Sequence, residues 1–257
     1  MFKLYNDDCF NVMSKLEDES IDMILCDLPY GTTANKWDVI LPFDKLWEQY
    51  ERIIKPNGAI VLFADEPFAS HLRLSNEELY RYDLIWCKPY GSNPLIANKR
   101  PQKAHEYICI FYKHLPVYNP QKTFGHGSFT GRDSGVVRDK NRDYTYNKKF
   151  APNTDGSRLP LSYIKFEKDN RGKKTIHPTQ KPVALLEWLI KTYTNEGMTV
   201  LDNCMGSGST GVACVNCDRD FIGIELEKGY FDIASQRIEE AENFGTTLVP
   251  MFYDTEV

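Results

Sequence analysis

Apolar positions along the chain fall into short solid runs that alternate with segments of helical spacing. Ile21–Cys26 is a six-residue, mostly apolar run that ends at Asp27-Leu28-Pro29-Tyr30-Gly31. It reads as a buried strand leading into a loop that Pro29 stiffens. Phe43 to Ile54 carries Leu46, Trp47, Tyr50, Ile53 and Ile54 on one helical face and stops at Lys55-Pro56-Asn57-Gly58, a strong breaker. Ala59–Phe63, Tyr82–Trp86 and Glu106–Tyr112 are further buried-strand runs. After a long polar stretch the regular pattern returns. It predicts a helix from Pro182 to Tyr193, a strand from Met198 to Asp202, a helix from Thr210 to Asn216, a strand from Phe221 to Glu225 and a helix from Tyr230 to Glu242. Strands alternating with helices predict an α/β fold with a doubly wound, mostly parallel sheet.

The polar stretch runs from His114 to about Thr175 and has poor apolar periodicity. It is too long for an ordinary connection in a compact domain, so it reads as an insert. Its aromatic residues, among them Tyr118, Phe124, Phe129, Tyr144, Tyr146 and Tyr163, are too many for a typical disordered linker. The expected organisation is residues 1–113, an insert at 114–175, and residues 176–257 completing the first domain.

Charge sharpens this division. The chain has a net charge of −5, yet Lys99 to Lys181 holds 18 Lys and Arg against 7 Asp and Glu, leaving an acidic remainder of 13 against 29. An acidic body with one basic segment suits a protein that meets a polyanion through part of its surface. A solvated basic loop fits the count equally well. The seven cysteines mostly lie in or beside apolar runs and show no disulfide framework. Cys214 and Cys217 form a lone C-x-x-C with no second pair or His cluster, so no metal site is expected.

Val200 to Thr210 reads as a strand, a turn through Asp202, Met205, Gly206, Ser207 and Gly208, and a helix start. Glycines there admit a ligand close to the backbone, and the free N–H groups of a helix start favour an anion. The next strand ends at Glu225, where a carboxylate can accept both ribose hydroxyls of a nucleoside. These features fit S-adenosylmethionine or NAD, and a purely structural Glu225 is the plain alternative. The Asp27 loop separates the two. An exocyclic amino group is a poor nucleophile because its lone pair is delocalised into the ring. A carboxylate and a backbone carbonyl that each accept one N–H would free that lone pair. Asp27 and the carbonyl of Leu28 or Pro29 are such acceptors, and Tyr30 offers a ring for an extruded base to stack on.

Asp27-Leu28-Pro29-Tyr30-Gly31-Thr32-Thr33, with Trp37-Asp38, resembles the Asp-Pro-Pro-Tyr motif of amino-group DNA methyltransferases, with Leu28 in place of the first proline. His177-Pro178-Thr179-Gln180-Lys181-Pro182 ahead of the glycine turn resembles that family's second block. The order of motifs is similar to the β class, whose catalytic half precedes its cofactor half. The resemblance spans about Asp8 to Glu239. It implies a seven-stranded Rossmann-like methyltransferase fold with circularly permuted motif order and S-adenosylmethionine as cofactor. It further implies that Asp27, Pro29 and Tyr30 are catalytic and that Asp8 and Cys9 lie near the cofactor adenine. By the same likeness Asp202, Met205, Gly206, Ser207, Gly208 and Glu225 hold the cofactor, with Asp27 and His177 beside it and Thr179 and Lys181 near its carboxylate. Trp37, Lys88 and Tyr90 are expected at the base pocket or DNA, although Trp37 fits core packing equally well.

The resemblance implies methylation of adenine N6 on a flipped base, with residues 114–175 choosing the target. Cytosine N4, a similar amino group open to the same chemistry, is the alternative; those enzymes more often carry Ser at the first motif position, so Asp27 favours adenine. Cytosine C5 chemistry needs a Pro-Cys nucleophile, and the sequence has none. An NAD-dependent oxidoreductase would leave both motif blocks unexplained. Double-stranded DNA is the expected partner, with a homodimer and a cognate restriction endonuclease suggested by the family. An acidic start and the lack of a long apolar run imply no signal peptide or membrane span, so a cytoplasmic protein of bacterial or phage origin is expected.

Overall fold

The computed structural model describes residues 1–32, 38–92, 94–126, 155–167 and 180–245. The apolar runs become strands of a single sheet: β1 (Phe2–Tyr5), β2 (Ile21–Cys26), β3 (Ile54–Ala64), β4 (Tyr80–Ser92), β5 (Lys103–Phe111), β6 (Tyr163–Lys165), β7 (Thr199–Asp202) and β8 (Asp220–Ile224). Their order across the sheet is β1-β8-β7-β2-β3-β5-β4-β6. Only β5 runs antiparallel to its neighbours. Among the described residues the sheet therefore has eight strands rather than seven. The additional edge strand, β6, comes from the stretch expected to be an insert and pairs parallel to β4 through Ile85, Trp86 and Cys87.

Alternate residues of the strands feed two separate cores, as the pleat requires. On one face Met23, Leu25, Val61, Ile108 and Val200 pack under α4 (Val183–Tyr193), α5 (Ser209–Asn216) and α6 (Lys228–Gly245). On the other, Ile24, Cys26, Ile60, Leu62 and Leu201 pack under α1 (Cys9–Met13), α2 (Phe43–Ile53) and α3 (Phe68–Ser75). Helices on both faces of a mostly parallel sheet make the predicted doubly wound architecture. Among the described residues, no helix is long and apolar enough to cross a membrane.

The predicted breaker at Lys55–Gly58 acts within β3. Ile21 faces Ile54, but the next partner of β2 is Met23 against Ala59, so the intervening residues leave the ladder before pairing resumes. The chain divides into two compact units, Met1–Asn119 with Ser162–Val257, and Pro120–Leu161. Within the second, Thr123 and Arg158 form an antiparallel bridge, and the His126 amide donates to the Gly156 carbonyl.

One adjacency positions everything that follows. β2 pairs parallel with β7 (Met23 with Val200, Ile24 with Leu201), although the two strands lie far apart in sequence. β7 in turn pairs parallel with β8, and β8 with β1. The carboxyl ends of four neighbouring parallel strands therefore open on one side, where open α/β sheets bind ligands.

Candidate active site

At those strand ends lies a cavity of about 600 Å³. Asp27, Leu28, Pro29 and Tyr30 line it from the end of β2, and Asp202, Met205, Gly206 and Ser207 from the end of β7. Glu225 enters after β8 and Asp8 and Cys9 after β1, while Lys181 reaches in from the segment before α4. Trp37, His177 and Thr179 lie outside the described residues.

Glu225 is a clasp between two loops. Its Oε2 accepts the Gly206 amide at 2.9 Å and its Oε1 the Glu227 amide at 2.8 Å. Burial pushes its carboxyl up from the ordinary value, against the pull of those amides. A carboxylate has about four lone-pair sites, so two amide bonds leave acceptors available. Asp202, almost fully buried, ties the start of the glycine turn to the helix after it. Its Oδ1 accepts the Cys204 amide at 3.1 Å and its Oδ2 the Thr210 hydroxyl at 2.7 Å. Burial raises its carboxyl to about 6, although both hydrogen bonds act in the opposite sense.

The two glycines of the turn differ. Gly206 has φ +52°, and a methyl group placed on it would meet nothing within 4 Å, because it opens on the cavity. Gly208, at φ +79°, precedes α5, and a Cβ there would lie 2.8 Å from Ala234 Cβ and 2.9 Å from Ala234 Cα. Its glycine serves helix packing, and Gly208 is not among the residues lining the cavity. Ser207 is held by Arg237 of α6, which donates to its backbone oxygen and, at 3.1 Å, to its hydroxyl. Asp8 caps α1, with Oδ1 accepting the Phe10 amide at 2.8 Å. Hydrogen bonding with Cys204, reinforced by burial, pushes the Cys9 thiol up.

The second half of the cavity is built around Asp27. The Tyr30 hydroxyl donates to its Oδ1 at 2.6 Å and the Lys181 ammonium to its Oδ2 at 2.5 Å. The Tyr30 ring stacks on Phe68, with centroids 5.0 Å apart and planes 24° apart, which fixes it from behind. Burial, then the negative charge of Asp27, raises the Tyr30 phenol well above its ordinary range, so it remains a donor. Asp38 holds the following loop by accepting the Gly31 and Thr32 amides at 2.8 and 2.9 Å.

Lys181 and Lys88 have partners that sequence reasoning did not foresee. Lys181, placed by resemblance near the cofactor carboxylate, has Asp27 and Glu106 as its ion-pair partners, the latter at 3.4 Å. Lys88 donates to Glu106 Oε1 and lies over the Trp86 ring, with only 12% of its side chain exposed. Tyr90 is exposed, and neither Lys88 nor Tyr90 is among the described residues that line the cavity. Glu106 and Trp86, cross-strand neighbours on β5 and β4, do line it. The signal that could have found Glu106 is a carboxylate immediately before the apolar run Tyr107–Phe111 of β5.

A family model described as DNA methylase matches residues 21–236. The chain is 27% identical over 268 residues to the type II methyltransferase M.HpaI of Haemophilus parainfluenzae, covering 94% of this chain and 75% of that one. Among solved structures, the M1.HpyAVI–SAM complex superposes with a TM-score of 0.61 at 29% identity, covering 92% of this chain and all of the other. The cytosine-N4-specific PvuII DNA methyltransferase superposes with a TM-score of 0.65 over 94% of this chain and 91% of that one, at 16% identity, a likeness of fold alone.

Proposed function

Since the chain belongs to the N6/N4 DNA methylase family, matched from residue 21 to 236, we propose that it methylates N6 of an adenine flipped out of double-stranded DNA. The observation that carries this reading is the Asp27 carboxylate. It faces the cavity, each oxygen engaged by one donor from the protein. Two bonds leave it lone pairs for an N–H of the target amine. Accepting that N–H, with the backbone carbonyl of Leu28 or Pro29 accepting the other, biases the nitrogen toward tetrahedral geometry and takes its lone pair out of conjugation with the ring, and the fixed carboxylate needs no reorganisation to do so. Pro29 stiffens the loop, and Tyr30 offers its ring to the base.

The other half of the cavity suits S-adenosylmethionine. The space in front of Gly206 admits a ligand to the backbone, and Glu225 keeps acceptors for ribose hydroxyls. Asp8, Cys9, Met205 and Ser207 complete the holding surface. When bound, that cofactor supplies an electrophilic methyl carbon. What the chain contributes is the meeting of this half with Asp27 across one pair of adjacent strands.

Adenine is proposed over cytosine because Asp27 stands where N4 enzymes more often carry Ser. We assign choice of the target sequence to the basic segment 114–175, and a homodimer is proposed on family likeness alone.

The test is methylation of unmodified bacterial DNA, followed by digestion and mass spectrometry of the nucleosides. N6-methyladenine is expected, and N4-methylcytosine in its place would overturn the assignment. Asp27→Ala should lower the rate at least about 10²-fold, as for loss of a preorganised polar group. S-adenosylhomocysteine should still raise its melting temperature, and NAD should not. Substantial residual activity would remove Asp27 from the proposed role.

A further inference from the structure

Two ammonium groups and two carboxylates alternate through the wall behind Asp27. Lys88 donates to Glu106 Oε1, Lys181 Nζ lies 3.4 Å from Glu106 Oε2, and Lys181 donates to Asp27 Oδ2. Three of the four are well enclosed, with side-chain exposures of 12% for Lys88, 16% for Glu106 and 9% for Lys181. Lys181 is surrounded: beyond its two carboxylates, the rings of Phe63 and Tyr30 lie 5.0 and 5.9 Å from its ammonium. Glu106 Oε2 is buried without a hydrogen bond of good geometry, so Lys181 is its main compensation.

Such a chain is a poor device for stability. Removing ions from water costs several kcal/mol each, and apolar replacements of similar volume commonly do as well. Its value lies in direction. An isolated carboxylate on a loop can rotate, but Asp27 is gripped on one oxygen by a phenol and on the other by an ammonium. The ammonium is itself held from behind by a second carboxylate.

We propose that Lys181 and Glu106 are positioning residues for methyl transfer, Lys181 clamping Asp27 and Glu106 fixing Lys181. This rests on the reading of Asp27 as acceptor of the target amine. It gives Lys181 a different task from the cofactor contact that family likeness implies. Charge balance agrees with it. Burial opposes charge on Lys181, yet Asp27 and Glu106 raise its pKa above the ordinary value. Burial likewise pushes Glu106 up, but Lys181 and Lys88 outweigh it and hold the carboxyl below its usual range. The groups that face Asp27 are Tyr30 on its own loop, Cys26 of β2, Asp202 of β7 and Lys181, with Glu106 of β5 behind Lys181 and Lys88 of β4 behind Glu106.

The experiment measures kcat, KM for S-adenosylmethionine and the pH profile of methyl incorporation into unmodified, PCR-amplified bacterial DNA. Lys181→Met leaves two carboxylates with one cation, so the pair takes up a proton more readily. Its kcat should fall about 10²-fold with KM little changed, and the acid limb should move up by about one pH unit or more. Lys181→Arg keeps the charge and should restore much of the rate. Glu106→Gln removes the competing anion, so its acid limb should move down while kcat falls roughly tenfold. If Lys181→Met does not fold, tested as stabilisation by S-adenosylhomocysteine, Glu106→Gln decides by its limb. A raised KM with kcat intact in Lys181→Met would return Lys181 to the cofactor. Unmoved limbs in folded variants would reduce the chain to packing. Asp27→Ala inactive beside a fully active Lys181→Met sinks the clamp alone, whereas an active Asp27→Ala removes the reading beneath it.

Discussion

Replacing Gly206 and Gly208 of the turn after β7 by alanine should separate two roles that look alike in sequence. Both residues have positive φ, and an L side chain in the left-handed region costs about 1–2 kcal/mol. Alanine recovers roughly 0.4–1 kcal/mol of that by restricting the unfolded chain. For Gly206 nothing else opposes the methyl group, so Gly206→Ala should lose only about 1 kcal/mol. For Gly208 the new Cβ lies 2.8 Å from Ala234 Cβ and 2.9 Å from its Cα. Those atoms belong to or adjoin the backbone of α6 and have no rotamer by which to move aside. Overpacking of this kind adds about 1–3 kcal/mol, which brings Gly208→Ala to about 3 kcal/mol. For a chain of roughly this size each kcal/mol shifts Tm by about 2–4 °C, so Gly208→Ala should melt some 6–12 °C lower and Gly206→Ala only about 2–4 °C lower. Thermal unfolding followed by circular dichroism measures both. The ligand response should invert the ranking: the Gly206→Ala methyl projects into the cavity and should weaken the stabilisation given by S-adenosylhomocysteine more than Gly208→Ala does. A Gly208→Ala protein melting within 2 °C of wild type, or above Gly206→Ala, would refute the reasoning.

Thr210→Val removes the hydroxyl that donates to the buried Asp202 Oδ2, and urea unfolding should show a loss of about 1–3 kcal/mol. Asp202 itself, raised from 3.8 to about 6, binds its proton more tightly in the folded chain than in the unfolded one. Its contribution is complete below about pH 4 and is lost as pH rises through 6, so wild type and Asp202→Asn should differ in the slope of unfolding free energy by up to about 1.4 kcal/mol per pH unit in that window. Parallel slopes would deny Asp202 that titration. Exchanging residues 114–175 for the corresponding segment of a relative with another target should change the methylated sequence, read by modification-sensitive sequencing, and an unchanged sequence would free the segment of that role.

The parts of this fold that were legible in sequence are those whose periodicity is enforced by burial. β2 is a nearly solid apolar run, and β7 and β8 carry the apolar pairs Val200-Leu201 and Phe221-Ile222, because helices cover both faces. α2 and α4 show their stripes for the same reason. β1 and β6 escaped notice because they are four and three residues long at the sheet edges, half exposed and without an apolar run. The Asp27 loop and the glycine turn were visible as local motifs, since a loop that must hold a stiff turn or a positive φ announces itself in its residues. Glu106 was not, because its meaning depends on register. Only the pairing of β5 with β4 and the approach of Lys181 from beyond residue 180 turn an ordinary strand carboxylate into part of the site. The partner of Lys88, expected at the base pocket or DNA, was hidden for the same reason, since Glu106 meets it only through the pairing of β5 with β4.

The pairing of β2 with β7 also decides what can move during the reaction. Strands in one ladder sit about 4.8 Å apart and cannot part without breaking the backbone hydrogen bonds between them. The loops that would carry methyl donor and acceptor grow from those two strands, so the enzyme has no hinge between them of the kind that lets two-domain transferases close on their substrates. On the proposed reading, travel toward the methyl group therefore falls to the DNA, whose base leaves the helix to reach a fixed acceptor.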